Sequence, residues 1–350
     1  MPRSPRVAGL LALASAIILL AACTPAADTS PASSTAPQQP TTTGGAAGTT
    51  ATATPTTTRA LTVPPVDAAL LKEATEVFRS MAISMRTVSF DGGFAPSSLP
   101  PAYPKYLMGS ELMVAILNAN TWHDAGYRRV SGTEELLDIR PFPAMQDGSL
   151  VALSGCRKQT NVRFESKDGS GWSGGDEQQV AFLKRDTDGL LKIFHTEHLD
   201  VTSCDPSSAA PALVAEASAI HGTVLRLFDK HLAAGGLNQA DYSTSGFGPY
   251  LGHEARTRLL LDLEFARVSD QTSQVHGPTR FGRVTEWPYA REGSVVALTS
   301  CLDRSNAIRT TPSGSRYRET PRLFFTYFTR DSAGTLRLAT VDAFYVDACA

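Results

Sequence analysis

Two kinds of side chain in these 350 residues could do chemistry: five cysteines, and a few histidines with carboxylates nearby. Thiols act as redox couples or metal ligands when they stand close together, as in Cys-x-x-Cys. Here Cys156 and Cys204 are 48 residues apart, Cys301 and Cys349 are again 48 apart, and the second pair lies 145 beyond the first. Cys23 stands alone near the start. Spacing this wide fits bridges better than a thiol site. His195-Thr196-Glu197-His198 looks like a metal motif, but it lies in an extended run, where positions three apart face opposite sides of a sheet. At the positions 145 residues later stand Thr340 and Ala343.

The other titratable candidates read as structural. His123-Asp124, after Trp122, and Asp262 with Glu264 could rim a pocket mouth, and surface charge is the plainer reading. His221 and His231 are ten apart among the apolar positions of a helical run, which suits core or boundary histidines. Gly-x-Ser-x-Gly, His-Glu-x-x-His, the phosphate-loop pattern and the dinucleotide fingerprint are all missing. No catalytic residue, metal ligand or cofactor is assigned. Gly169-Ser170-Gly171-Trp172-Ser173-Gly174-Gly175 reads as a long mobile hairpin loop, with Trp172 and the later Tyr317 as exposed aromatics open to a partner.

The start of the chain carries Arg3 and Arg6, an apolar run from Val7 to Leu20, and then Leu20-Ala21-Ala22-Cys23. The run is about 14 residues, short for a membrane span of roughly 20, and has the layout of a secretion signal. Leu20-Ala21-Ala22-Cys23 resembles the bacterial lipobox, which implies a signal peptide over 1–22 and diacylation of Cys23 as the new N-terminus. Residues 23–60 form the next segment. From Thr24 to Ala60 nearly every residue is Thr, Ala, Pro, Ser or Gly, a composition that cannot offset its ordering entropy and suits a disordered stalk. As a flexible coil it spans roughly 35 Å, and about 115 Å fully extended. Its Thr-Pro pattern also suits O-glycosylation.

Processing would remove Arg3 and Arg6 from the 32 basic residues, leaving 30 against 34 acidic ones and a formal charge near −4. A mildly acidic chain lacks the electrostatic attraction that dominates nucleic-acid affinity, so no nucleic-acid partner is expected. Arg316-Tyr317-Arg318 is read as a solvated turn.

The remaining residues repeat. Gly148 to Cys156 lies on Gly293 to Cys301, and Arg185 to Leu191 lies on Arg330 to Leu336. Between Pro143 and Cys204 the two copies agree at 16 of 62 positions without a gap, which a chance tripeptide does not explain. Domains over 61–205 and 206–350 follow, joined by the short Asp205 to Pro211 segment. Each begins with helical periodicity, from Val66 through Met85 and from Leu213 through Leu232, with Gly235-Gly236 as a stop. A second helical stretch follows around Leu112 to Leu117, and around Leu259 to Leu263. Strands are expected at Glu135–Phe142, Ser149–Arg157, Gln179–Arg185 and Leu191–Val201, with polar turns at Asp186–Gly189 and Asp331–Gly334. Helices followed by antiparallel strands make an α+β layer structure, its short sheet curled around the helices. Cys156 and Cys301 end a middle strand and Cys204 and Cys349 a last strand. Of three possible pairings, Cys156–Cys204 with Cys301–Cys349 alone respects the repeat, in a compartment that favours disulfides.

Val296 to Ser305, a polar loop and a closing strand with a terminal cysteine resemble the NTF2-like domains of actinobacterial surface lipoproteins. The resemblance spans roughly Thr62 to Ala350, and the first copy departs from it at Arg157-Lys158-Gln159-Thr160. It implies two tandem cone-shaped domains, N-terminal helices packed on a curved antiparallel sheet around a pocket. Some members are isomerases, dehydratases or hydrolases, and many lipoprotein members have no known activity, so fold alone does not assign one. The expectation is an extracytoplasmic lipoprotein held to membrane lipid through acylated Cys23, binding or scaffolding a cell-envelope protein or a small apolar ligand without catalysis. The alternatives are acid–base chemistry on a small molecule, or lipid carriage, in a cone pocket.

Overall fold

Helix α1, Ala68–Asp91, starts where the Asp67 carboxylate accepts from the Ala69 amide at 3.0 Å, and it ends at left-handed Gly92. A computed structural model describes residues 66–146, 148–268, 272–275, 279–310 and 316–349, with backbone alone at 239, 272–275, 309, 310, 317, 348 and 349. The leader, Cys23 and the stalk lie outside the described residues. Short α2, Ala102–Tyr106, and α3, Gly109–Ala125, complete the first helical layer. Eight strands follow: β1 Arg128–Ser131, β2 Glu135–Pro141, β3 Ala144–Met145, β4 Val151–Lys158, β5 Arg163–Glu165, β6 Gly171–Ser173, β7 Glu177–Arg185 and β8 Leu191–Asp200.

The sequence of events then recurs. Helix α4, Pro211–Ala233, has proline in its first turn, where no amide bond is lost; a 3₁₀ turn at Gln239–Thr244 and α5, His253–Val268, come next. The later strands are β9 Thr272–Val275, β10 Arg280–Phe281, β11 Thr285–Glu286, β12 Val296–Asp303, β13 Ala307–Thr310, β14 Arg316–Arg318, β15 Arg322–Arg330, β16 Leu336–Tyr345 and β17 Ala348–Cys349. Gly93 and Gly236 have equivalent roles. Both have positive φ, and an added Cβ would come within 2.1 Å of the Ala119 carbonyl or 2.2 Å of the Leu263 carbonyl, where the next helix crosses.

One antiparallel sheet runs β2-β4-β7-β8 and another β10-β12-β15-β16, with β11 also on β12. Smaller sheets run β1-β5-β6 and β14-β13-β9, and β17 pairs with β3. The hairpin turns match atom for atom: Gly189 donates to Asp186 and Gly334 to Asp331, each at 2.9 Å. The chain is thus α+β.

Both faces of each large sheet are buried. Val151 and Leu153 of β4 pack under α1–α3, and Phe324 and Phe328 of β15 pack under α4 and α5. The alternate residues, among them Ala152, Phe182, Leu323, Phe325 and Tyr327, form a third cluster in which the two sheets meet. Phe142 stacks on Phe325 at 6.2 Å, and Trp287 meets Phe325 edge-on at 4.8 Å. Backbone bonds stitch the rim, from Thr202 to Ala290 and from Ser207 to Pro288 at 2.8 Å, and from Asp347 to Met145 at 2.7 Å. The short linker between the halves permits this contact, and the apolar runs of β7 and β15 demand it.

Cys156 and Cys204 form a disulfide across a Cα separation of 5.4 Å. They do not end neighbouring strands, because β7 lies between β4 and β8. Cys204 reaches Cys156 since the chain turns back after Asp200, held by buried Asp176, whose carboxylate accepts from the amides of Gln159, Thr160 and Cys204 at 2.7 to 2.9 Å. Closing the 48-residue loop contributes about 4 kcal/mol on the chain-entropy model. Cys301 is also disulfide-bonded; the Cys349 side chain lies outside the described residues.

Three loop expectations are corrected. Residues 171–173 form β6 rather than a mobile loop tip, and Trp172 is half-buried, stacked on Phe164 at 5.3 Å and edge-on to Tyr127 at 5.0 Å. With Trp122 edge-on to Phe164 at 5.2 Å, four aromatics gathered at one small sheet outweigh the flexibility of the flanking glycines. Arg316–Arg318 is strand β14 rather than a turn, and the Tyr317 side chain is outside the described residues.

Phe325 is fully buried against Phe142, Trp287 and Phe344. Phe325→Ala is expected to lower the unfolding free energy by about 3–5 kcal/mol. Chemical denaturation checks this, and a loss below about 1 kcal/mol would mean the layer is loosely packed.

Candidate functional site

Strand alternation places Arg157 of β4, Glu177 and Gln179 of β7, and Thr196 and His198 of β8 on the helix-facing side of the first sheet. Glu134, just before β2, and Glu111, in the first turn of α3, close around them. Arg157 donates through Nε to Glu134 at 2.8 Å and through Nη1 to Glu177 at 2.7 Å. Glu177 also accepts from the Gln179 amide at 2.7 Å and pairs with His198 Nδ1 at 3.3 Å. The Thr196 hydroxyl donates to Glu111 at 2.6 Å. The result is an alternating row, Glu134, Arg157, Glu177, His198.

The charges hold one another ionised. Burial opposes the Arg157 charge, and Glu177 and Glu134 outweigh it, holding the guanidinium above its ordinary range. Burial likewise works against Glu177, but His198 and Arg157 keep its carboxyl well below the usual range. For His198 partial burial disfavours the imidazolium, and Glu177, helped by Glu111, raises its pKa above the ordinary 6.5. A carboxylate engaged on both sides is a poor proton acceptor, so the row holds charge rather than moving protons.

Beside this row a cleft of about 290 Å³ opens between α1 and the start of β2. Arg79, Ile83 and Arg86 line it at positions i, i+4 and i+7 of one helix face, opposite Leu136 and Leu137, with Glu134 and Arg157 shared between row and cleft.

The second half does not repeat this row at the matching strand positions; its buried cation is Arg304, which pairs with Asp229 at 3.1 Å and Glu319 at 3.0 Å away from them. At the positions 145 residues beyond Arg157, Gln179 and His198 stand Leu302, Phe324 and Ala343, all packed in the α4–α5 core. Under its helices lies His221, 1% exposed, whose Nε2 lies 2.5 Å from the Ser300 hydroxyl and whose Nδ1 lies 3.2 Å from the Thr326 hydroxyl. Burial pushes this imidazole down to about 4, so it is neutral at pH 7. In the first half Phe78 of α1 packs on Gly155, the position matching Ser300, where a Cβ would come within 3.2 Å of the Phe78 ring. A large ring over glycine has become a small ring bonded to serine.

His195 and Glu197 pair at 2.8 Å on the opposite face from His198, as the strand reading requires. Among the described residues no group of three or more His, Cys, Asp or Glu could hold a metal ion. His123 and Asp124 are exposed, Asp262 is exposed near Arg322, Glu264 pairs with Arg267, and His231 meets the Ser245 carbonyl at 3.0 Å. Sequence reasoning missed Arg157, Glu177, Glu134 and Glu111. The available signal was the departure at Arg157, a charge within a strand, together with Glu177 twenty residues on.

No family model matches the chain, and no curated protein does. Among solved structures, an "Ntf2 like protein involved in plasmid conjugation" is similar at 11% identity over 79% of this chain and 98% of that chain, with a TM-score of 0.21. A score that low does not establish a shared fold.

Because His221 is buried neutral with its pKa near 4, the unfolded chain binds a proton first as pH falls, and the stability present above pH 6.5 is lost toward pH 4. Between pH 7.5 and 4.5 this loss is about 2–3 kcal/mol. The double variant His221→Phe/Ser300→Gly, which installs the Phe78–Gly155 arrangement, should lack that share of the acid sensitivity. Denaturant titrations at both pH values compare the two; equal losses would remove His221 from the account.

Proposed function

We propose that this chain is an extracytoplasmic lipoprotein, cleaved before Cys23 and held to the membrane by acyl chains on it, whose two tandem NTF2-like domains, 61–205 and 206–350, bind or scaffold a component of the cell envelope without catalysis. The observation that carries the non-catalytic reading is the closed charge row: Glu177 is bound by Arg157 and His198 together and Glu134 by Arg157, which leaves no poised acid or base in the pairing. In the later half Leu302, Phe324 and Phe328 fill the space where a cone pocket would need room. That filling weighs against an enzyme or lipid-carrier role for the half, since either needs an open cavity.

The tandem reading draws support from the matching strand orders and the gapless offset of 145 residues. The export reading draws support from Leu20-Ala21-Ala22-Cys23 and from the Cys156–Cys204 bridge, a bond that persists outside the reducing cytoplasm. Two or more acyl chains anchor stably, each buried CH₂ contributing about 0.8 kcal/mol. The expected partners are membrane lipid and a cell-envelope protein or small ligand, not nucleic acid.

Feeding cells an alkyne-tagged fatty acid tests the anchor. The protein should carry the tag and sediment with membranes, and Cys23→Ala should carry none and leave the membrane fraction. An untagged wild-type protein in the soluble fraction would contradict the proposal.

A further inference from the structure

The cleft between α1 and β2 presents hydrogen-bonding groups that nothing among the described residues satisfies. Arg79 is exposed at its edge and forms no ion pair there. Arg86 spends one N–H on the Glu134 carbonyl at 3.3 Å. Glu134 is 4% exposed; one carboxylate oxygen takes Arg157, and the other, Oε2, is buried with no donor. Behind them Arg129, within electrostatic reach of Glu134 and Arg86, rests on the Phe90 ring at 5.2 Å with its buried Nε and Nη1 lacking an acceptor. Native proteins leave few buried polar groups unpaired, and here Glu134 Oε2 and Arg129 Nε and Nη1 are such groups.

The unmet needs are of opposite kind and lie side by side. Guanidinium donors want an anion, and Glu134 Oε2 wants a donor. A bare anion would leave Glu134 unsatisfied and face its charge, and a simple cation would meet Arg79 and Arg86. Between the two arginines the helix offers Ile83, opposite Leu136 and Leu137, so the rest of the ligand is aliphatic. At about 290 Å³ the cleft is below the usual size for a drug-like ligand and too small for a long acyl chain.

We infer that this cleft binds a small aliphatic acid bearing a hydrogen-bond donor on the carbon next to its carboxylate, an α-amino or α-hydroxy acid. The carboxylate meets Arg79 and Arg86, the ammonium or hydroxyl satisfies Glu134 Oε2, and the hydrocarbon lies on Ile83, Leu136 and Leu137. Arg129 adds positive potential behind the carboxylate. This rests on the binding reading above and narrows it to a ligand class.

Four probes of one carbon skeleton separate the parts: L-leucine, 2-hydroxy-4-methylpentanoate, 4-methylpentanoate without the donor, and 3-methylbutylamine without the acid. Calorimetry on the full-length protein in detergent should show saturable binding of leucine or the hydroxy acid, about tenfold tighter than either truncated probe. Arg79→Ala, at an exposed helix position, should weaken that binding about tenfold with the circular dichroism spectrum unchanged. The inference is overturned if neither donor-bearing acid binds up to about 10 mM, if 4-methylpentanoate binds as tightly, or if Arg79→Ala leaves binding intact. Failure here leaves the anchoring test at Cys23 standing. Turnover of a bound acid would instead contradict the non-catalytic reading while supporting the ligand class.

Discussion

A sheet with apolar side chains on both faces needs two covers, and here each large sheet supplies the second cover of the other. Leu323 to Phe328 of β15 and Val180 to Leu183 of β7 are almost continuously buried, so neither sheet could face water on its outer side. The shared layer of Phe142, Phe182, Trp287, Phe325 and their neighbours fixes how the halves sit. It also explains the rim. The chain after β8 runs beside Pro288 and Ala290, and β17 pairs with β3, because the sheets they belong to are already in contact. The Cys156–Cys204 bridge and the Asp176 staple tie down the same edge.

With one face of each sheet committed to its partner, the helix-facing sides can diverge. The first holds a row of four ionisable groups, and the second holds Leu302, Phe324 and Ala343 at three of the matching places. Burying a charge is tolerable only when it is paired, and Arg157 has two carboxylates; removing one would leave it a single partner, and removing both would strand it at a cost of about 3–5 kcal/mol. Pairing has a chemical consequence, since paired groups orient and attract but do not readily exchange protons. Where the row meets the cleft, at Glu134 Oε2 and the arginines of α1, groups are left over for a ligand.

Much of the fold was readable in the residues because its signals are local. Helical period ran from Val66 to Met85, the Asp186 and Asp331 turns ended in glycine, and the cysteines kept their 48-residue spacing. The sheet-to-sheet layer was not read, though Leu-Phe-Phe-Thr-Tyr-Phe at 323–328 carries its mark: no polar alternation, hence two buried faces. The spacing points to the Cys156–Cys204 bridge, but not to β7 lying between the strands that lead to it. The charge row was missed because Glu111, Glu134, Arg157, Glu177 and His198 meet only through strand register and helix packing, which no short motif encodes. Trp172 was misplaced because its glycines spoke for mobility, while its partners Trp122, Tyr127 and Phe164 are scattered along the chain.

That the two sheets stabilise each other is the claim on which the rest depends, and native-state hydrogen exchange with Phe142→Ala tests it most directly. Phe142 belongs to the first half, and its ring stacks on Phe325 of the second. If the layer is shared, amides of β12 and β15 should lose protection together with those of β4 and β7, by similar free energies. Loss confined to β4 and β7, with β12 and β15 unchanged, would show two halves that merely touch and would contradict the account.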